Sequence, residues 1–209
     1  MRCASRIVVL LLVIAASGVR PPPAPASQGL IVAFGDSLTA GYGVAPDDAY
    51  PGRLAARLRA EGYPYRIVNA GVSGDTTAGG LRRVDWVLQL KPDVVIVALG
   101  ANDGLRGQDL PRMRANLDQI VTRFQAAGAT VLLAGMRLPP NYGRAYADEF
   151  HRVYQTVARA RGAALMPFLL DGVGAEPALN QADGIHPTAE GYRVVADRLW
   201  EHLRPLLRR

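Results

Sequence analysis

The feature that most constrains this chain is the run Leu30-Ile31-Val32-Ala33-Phe34-Gly35-Asp36-Ser37. Five consecutive apolar residues suit a strand covered on both faces, as in a parallel sheet. Gly35 then lets the backbone turn sharply. Ser37 falls just past the carboxyl end of that strand, where open α/β sheets place their ligands. A serine hydroxyl is a weak nucleophile alone. A reactive Ser37 requires a base, an orienting acid and oxyanion donors from elsewhere in the chain.

The remaining sequence keeps to an alternating pattern. Strands are expected at 65–70 (YRIVNA), 93–99 (DVVIVAL), 130–134 and 163–166. Helices are expected between them, at 51–62, 81–90, 110–128 (carrying Leu110, Met113, Leu117, Ile120, Val121 and Phe124) and around Phe150, Val153, Tyr154 and Val157. Gly71 to Gly80 reads as a small-residue loop, and Pro187 as the opening of a last helix. Five strands alternating with helices predict an α/β fold: a three-layer α/β/α, doubly wound, flavodoxin-like parallel sheet of order 2-1-3-4-5. Trp86 and Trp200 are expected to be packing residues, and His151 and His202, inside helices, are given no role.

Length and composition set the domain plan. A chain of 209 residues, 49% hydrophobic, supports one domain with a sizeable core. Residues 1–26 read as a signal peptide: Arg2 and Arg6 precede the apolar run Ile7 to Ala16, and Ala24-Pro25-Ala26 is a small-x-small site before Ser27. Ten apolar residues are too few to span a bilayer, so no stable membrane insertion is expected after cleavage; the alternative is an uncleaved segment retained as an N-terminal anchor. The single cysteine, Cys3, lies in that segment, leaving residues 27–209 without thiol chemistry. The net charge of +6 falls to +3 without Arg2, Arg6 and Arg20, and the remaining basic residues are scattered; nucleic acid is not an expected partner. No His/Cys/acid spacing points to a metal, and no GxxxxGK[ST] loop to a nucleotide.

Four loops at the predicted carboxyl edge carry residues suited to acyl chemistry. Ser37 follows strand one, Gly74 strand two, Asn102 strand three, and Asp183-Gly184-Ile185-His186 strand five. His186 is the candidate base for Ser37. Asp183, three residues earlier, is placed to hold one ring nitrogen while the other faces Ser37. The Asn102 amide and the backbone N–H groups of Ser37 and Gly74 are the candidate oxyanion hole. Each residue alone has a plainer role: Ser37 a helix cap, Asp183 an Asx turn, Asn102 a turn former. Their common placement at strand ends favours the catalytic assignment.

These residues resemble the sequence blocks of the GDSL esterases, or SGNH hydrolases. Gly35-Asp36-Ser37-Leu38 is similar to block I, Val72-Ser73-Gly74-Asp75 to block II, Gly100-Ala101-Asn102-Asp103 to block III and Asp183-Gly184-Ile185-His186-Pro187 to block V. The stretches Asn102 to Gly107 and Arg137 to Gly143 further resemble the periplasmic multifunctional esterases of bacteria, of thioesterase, arylesterase and lysophospholipase type. The resemblance implies acyl-ester and thioester hydrolysis with no cofactor, Ser37, Asp183 and His186 as catalytic residues, and Ser37, Gly74 and Asn102 as oxyanion donors. It implies a periplasmic or secreted enzyme acting on small acyl esters or lysolipids. Leu105, Leu138, Pro139, Asn141 and Tyr142 are the candidate substrate-binding residues, and Arg137 to Tyr146 a candidate wall or lid. Ala101 departs from the glycine of close relatives; its methyl either narrows the acyl entrance or tilts the Asn102 loop.

A monomer is the working expectation. A carbohydrate acetylesterase of the same superfamily is the first alternative, disfavoured by Asn141-Tyr142-Gly143. A non-catalytic flavodoxin-like domain binding a phosphate-bearing ligand is the second, disfavoured by Asp36 and Asp183 near the site.

Overall fold

A computed structural model describes residues 29–209. The signal-like segment, with Cys3 and the site before Ser27, lies outside the described residues. Five parallel strands form one sheet of order β2-β1-β3-β4-β5: β1 Gly29–Gly35, β2 Tyr65–Gly71, β3 Val94–Ala98, β4 Thr130–Ala134 and β5 Ala164–Met166. The expected class, order and strand positions are all found. Every residue of β3 is buried, as are Leu30 to Gly35 of β1, because helices cover the sheet on both sides.

Among the described residues seven α-helices surround it: α1 Ser37–Ala40, α2 Tyr50–Ala60, α3 Thr77–Leu88, α4 Ala101–Leu105, α5 Leu110–Ala126, α6 Arg144–Arg161 and α7 Ala189–Leu203. One group packs α5 between α3 and α6; a second pairs α2 with α7. The periodic residues do the packing. Met113, Leu117, Ile120, Val121 and Phe124 of α5 are almost fully buried, as are Tyr192, Val195 and Leu199 of α7. No helix among the described residues is long and apolar enough to cross a membrane.

Four sequence expectations need correction. Helix α3 starts at Thr77, inside the stretch read as a loop to Gly80. The Thr76 side chain caps it by accepting the Gly79 amide, and Gly80 is helical because its bare Cα faces Leu99 and Phe34; a Cβ there would lie 2.3 Å from Leu99 Cδ1. Pro187 does not open α7. Thr188 is the N-cap, and Pro187 instead forms an isolated bridge with Asn180. Arg144 to Tyr146, read as part of a loop, belong to the first turn of α6. Trp86 is 52% exposed on α3, whereas Trp200 packs edge-on against Tyr63 as expected.

Candidate active site

Strand order reverses between β1 and β3, so the loops leaving their carboxyl ends diverge and open a crevice. Ser37 leaves β1 as the first residue of α1. It is not the helix cap: Asp36 is, its Oδ1 accepting the Leu38 amide at 3.0 Å. The cap fixes the turn and points Ser37 out of it. Ser37 Oγ lies 2.9 Å from His186 Nε2. His186 Nδ1 lies 2.7 Å from Asp183 Oδ2, so hydroxyl, imidazole and carboxylate form one line across 149 residues of sequence.

The Asp183 segment is self-organised. Asp183 Oδ1 accepts the amide hydrogens of Ile185 and His186, each at 3.0 Å, which curls the segment and brings the ring over its own carboxylate. Partial burial pushes the Asp183 carboxyl up. The amides and the imidazole outweigh that and hold it at about 2. It is therefore ionised at neutral pH. Gln181 staples this segment to the serine loop. Its Nε2 donates to the Tyr42 carbonyl at 2.8 Å and the Pro187 carbonyl at 2.9 Å, and its amide to the His186 carbonyl at 2.7 Å. The Tyr42 ring leans on His186, centroids 4.7 Å apart.

Asn102, expected in a loop after strand three, sits instead in the first turn of the short helix α4. Gly100 caps α4 with φ +112°, where a Cβ would meet the Tyr154 hydroxyl at 2.4 Å. Asn102 Nδ2 donates to the Asp75 carbonyl at 2.9 Å and makes a long 3.4 Å contact with Asp36 Oδ2. Its neighbour Asp103 grips the same loop from the other side. The buried Asp103 carboxylate accepts the Thr77 amide at 2.8 Å and the Thr77 hydroxyl at 2.6 Å. Gly74, directly before Asp75 in the chain, has φ +78° and borders the same cavity as Ser37 and Asn102. Next to Ser37 in the chain, burial pushes the Asp36 carboxyl up to about 7, against the pull of the Leu38 amide and of His186.

The cavity in front of Ser37 has a volume of about 550 Å³. Leu105, Leu138 and Pro139 line it, as do Ala101 and Arg137. Asn141 and Tyr142 are not among its lining residues. The Tyr142 hydroxyl instead donates to the Leu105 carbonyl at 3.0 Å, so it braces a lining residue from behind. Met136, Phe168 and Leu170 complete the apolar wall and were not picked out from the sequence. They follow β4 and β5, so the rule that located Asn102, ligands at the carboxyl edge, also pointed to them. Among the described residues no cluster of His, Cys, Asp and Glu is arranged to hold a metal.

A hydroxyl, imidazole and carboxylate in line at the carboxyl edge of a parallel sheet define the class of serine-dependent hydrolases. The chain belongs to the GDSL-like Lipase/Acylhydrolase family, whose description matches residues 33–194. It is 45% identical over 183 residues to Esterase TesA of Pseudomonas aeruginosa, covering 87% of this chain and 90% of that protein. It is 38% identical over 183 residues to the thioesterase 1/protease 1/lysophospholipase L1 of Escherichia coli strain K12, covering 87% and 86%. The crystal structure of TesA superposes with a TM-score of 0.83 at 45% identity, over 86% of this chain and all of that one.

Proposed function

We propose that this chain hydrolyses acyl esters and thioesters, lysolipids among them, through an acyl-enzyme on Ser37. The observation that carries the reading is the Ser37–His186–Asp183 line opening onto an apolar cavity of about 550 Å³. Apolar walls around a few convergent polar groups suit an acyl chain held with its carbonyl at the polar end. The names of the relatives, an esterase and a thioesterase/lysophospholipase, agree with it.

In this mechanism His186 Nε2 takes the Ser37 proton as Oγ bonds to the carbonyl carbon. Asp183 holds Nδ1–H and stabilises the imidazolium. The Ser37 and Gly74 amides and Asn102 Nδ2 receive the oxyanion. When the intermediate collapses, the bond to the alcohol or thiol breaks and His186 returns the proton to that group. A water then gives its proton to His186 and adds to the acyl carbon. The acid departs as Ser37 regains its hydrogen. No cofactor or metal enters these steps. The N-terminal sequence supports export by a signal peptide over residues 1–26, giving a periplasmic or secreted single domain over 27–209 that works as a monomer.

Hydrolysis of chromogenic esters of two to sixteen acyl carbons, by the mature protein and its Ser37→Ala variant, tests the reading. Serine-dependent turnover extending to medium and long chains is expected. Activity confined to acetyl would overturn it in favour of a sugar acetylesterase, and undiminished activity in Ser37→Ala would remove the mechanism.

A further inference from the structure

Arg83 projects from the interior of α3 to the edge where β1 and β2 end. Its side chain is 19% exposed, and all three guanidinium nitrogens are engaged at 2.7 Å. Nη2 donates to the Gly35 carbonyl, Nη1 to the Ala70 carbonyl and Nε to Asp75 Oδ2. The guanidinium carbon sits over the Phe34 ring, 4.1 Å from its centroid. Other arginine pairs of the molecule are of a different kind. Those of Arg57, Arg123 and Arg161 join more exposed side chains across helix surfaces, where ion pairs contribute little.

The three acceptors of Arg83 lie at consequential points. Gly35 is two residues before Ser37, and its carbonyl closes the strand from which the serine loop springs. Ala70 is the next-to-last residue of β2, whose continuation carries Gly74. Asp75 follows Gly74 directly, and its own carbonyl holds Asn102 Nδ2 at 2.9 Å. A single rigid, planar group therefore spans the strand end that leads to Ser37 and the loop that carries Gly74 and holds the Asn102 amide. A guanidinium has the fork of donors this requires; a lysine ammonium, one point charge on a flexible stem, does not.

We propose that Arg83 is a positioning residue that sets the Gly74 and Asn102 donors at the correct distance from Ser37. The inference rests on the oxyanion assignment made under the proposed function. Arg83 touches no reacting atom. It acts by fixing the hole before charge develops, which is what makes such donors effective. Displacement of reacting groups by about 1 Å costs roughly 10²-fold in rate.

The test measures kcat and KM of Arg83→Lys and Arg83→Ala with a short-chain chromogenic ester, alone and combined with Asn102→Ala. Both single variants are expected to lose roughly 10- to 10²-fold in kcat, with KM changed by less than about twofold. The acid limb of their kcat profile should superimpose on that of the parent, because the His186–Asp183 pair is untouched. In the Asn102→Ala background the Arg83 substitution should cost less than about threefold, since the donor it positions is already gone. A purely structural role would not give this coupling. Full multiplication of the two losses, a loss seen in KM alone, or unchanged kcat in Arg83→Lys would each overturn the inference. If Arg83→Ala fails to fold, Asp75→Ala carries the test. It cuts Arg83 from the Gly74 loop and leaves both strand-end bonds, and unchanged kcat there is equally fatal. Failure of the underlying reading looks different: parent-like kcat in Asn102→Ala would overturn the oxyanion assignment, and the inference with it. A slow Asn102→Ala beside a fast Arg83→Lys overturns the inference alone.

Discussion

Asp183 holds His186 with both of its oxygens: Oδ2 faces the ring nitrogen Nδ1 at 2.7 Å, and Oδ1 accepts the His186 backbone amide at 3.0 Å. The carboxylate thus fixes His186 twice, once by its ring and once by its peptide. Asp183→Asn keeps an acceptor for the amides but replaces the carboxylate facing Nδ1. The ring then loses both its preferred tautomer and the charge that stabilises the imidazolium. Turnover is expected to fall by roughly 10²–10⁴ with KM little changed. A loss below tenfold would show that the Ser37–His186 contact is held by Gln181 and Tyr42 instead.

Ser37 and His186 are expected to act as one unit. Ser37→Ala and His186→Ala should each reduce kcat by about 10⁵–10⁶, and the double variant should be scarcely slower than either. Burst kinetics with a chromogenic ester, absent in both variants, would report the acyl-enzyme directly. Losses that multiply in the double variant would mean that the two side chains serve different steps.

The apolar wall supports a prediction about chain length. Leu138 is only partly buried and lines the cavity beside Leu105 and Pro139. Leu138→Trp takes up cavity volume without touching the Ser37 line. Esters of two to four carbons should be turned over as before, while kcat/KM for twelve carbons and longer drops roughly tenfold or more, at about 0.8 kcal/mol for each methylene displaced. An equal loss at every chain length would place the acyl group elsewhere.

Much of this site could be read from sequence because its parts are local. The run Leu30 to Phe34 fixes a doubly covered strand, and a strand's carboxyl end fixes where Ser37 sits. Asp183 and His186 pair within one curled segment, so their spacing alone pointed to the contact. The same strand-end rule put Asn102 and Gly74 at the edge where both border the Ser37 cavity. What escaped depends on residues far apart in the chain. Arg83 reaches Gly35 across 48 residues and Gln181 reaches Tyr42 across 139, and no local pattern announces either bond. Phe168 and Leu170 follow a three-residue strand in an irregular stretch with no periodicity to interpret. The start of α3 was misplaced because Gly79 and Gly80 read as loop formers, whereas close packing requires them, Gly79 against the Asp75 carboxylate and Gly80 against Leu99. Trp86 shows the converse: a large aromatic residue within a helix need not face the core.

Asp36 carries the last prediction. The carboxyl, next to Ser37 in the chain, is 2% exposed, and burial raises it from 3.8 to about 7. An acid whose folded value is raised keeps its proton in the native state while the unfolded chain releases it. Native protein then binds more protons than unfolded protein between about pH 4 and 7, so stability falls as pH rises through that window. The full effect approaches about 4 kcal/mol above pH 7, at about 1.4 kcal/mol for each unit. Asp36→Asn keeps an oxygen to accept the Leu38 amide and removes the titration. Urea unfolding from pH 4 to 8 should show the parent losing stability relative to the variant, with the gap opening between pH 4 and 7 and constant beyond. Parallel curves would mean that the Asp36 carboxyl titrates alike in folded and unfolded chains, and that its pocket admits water.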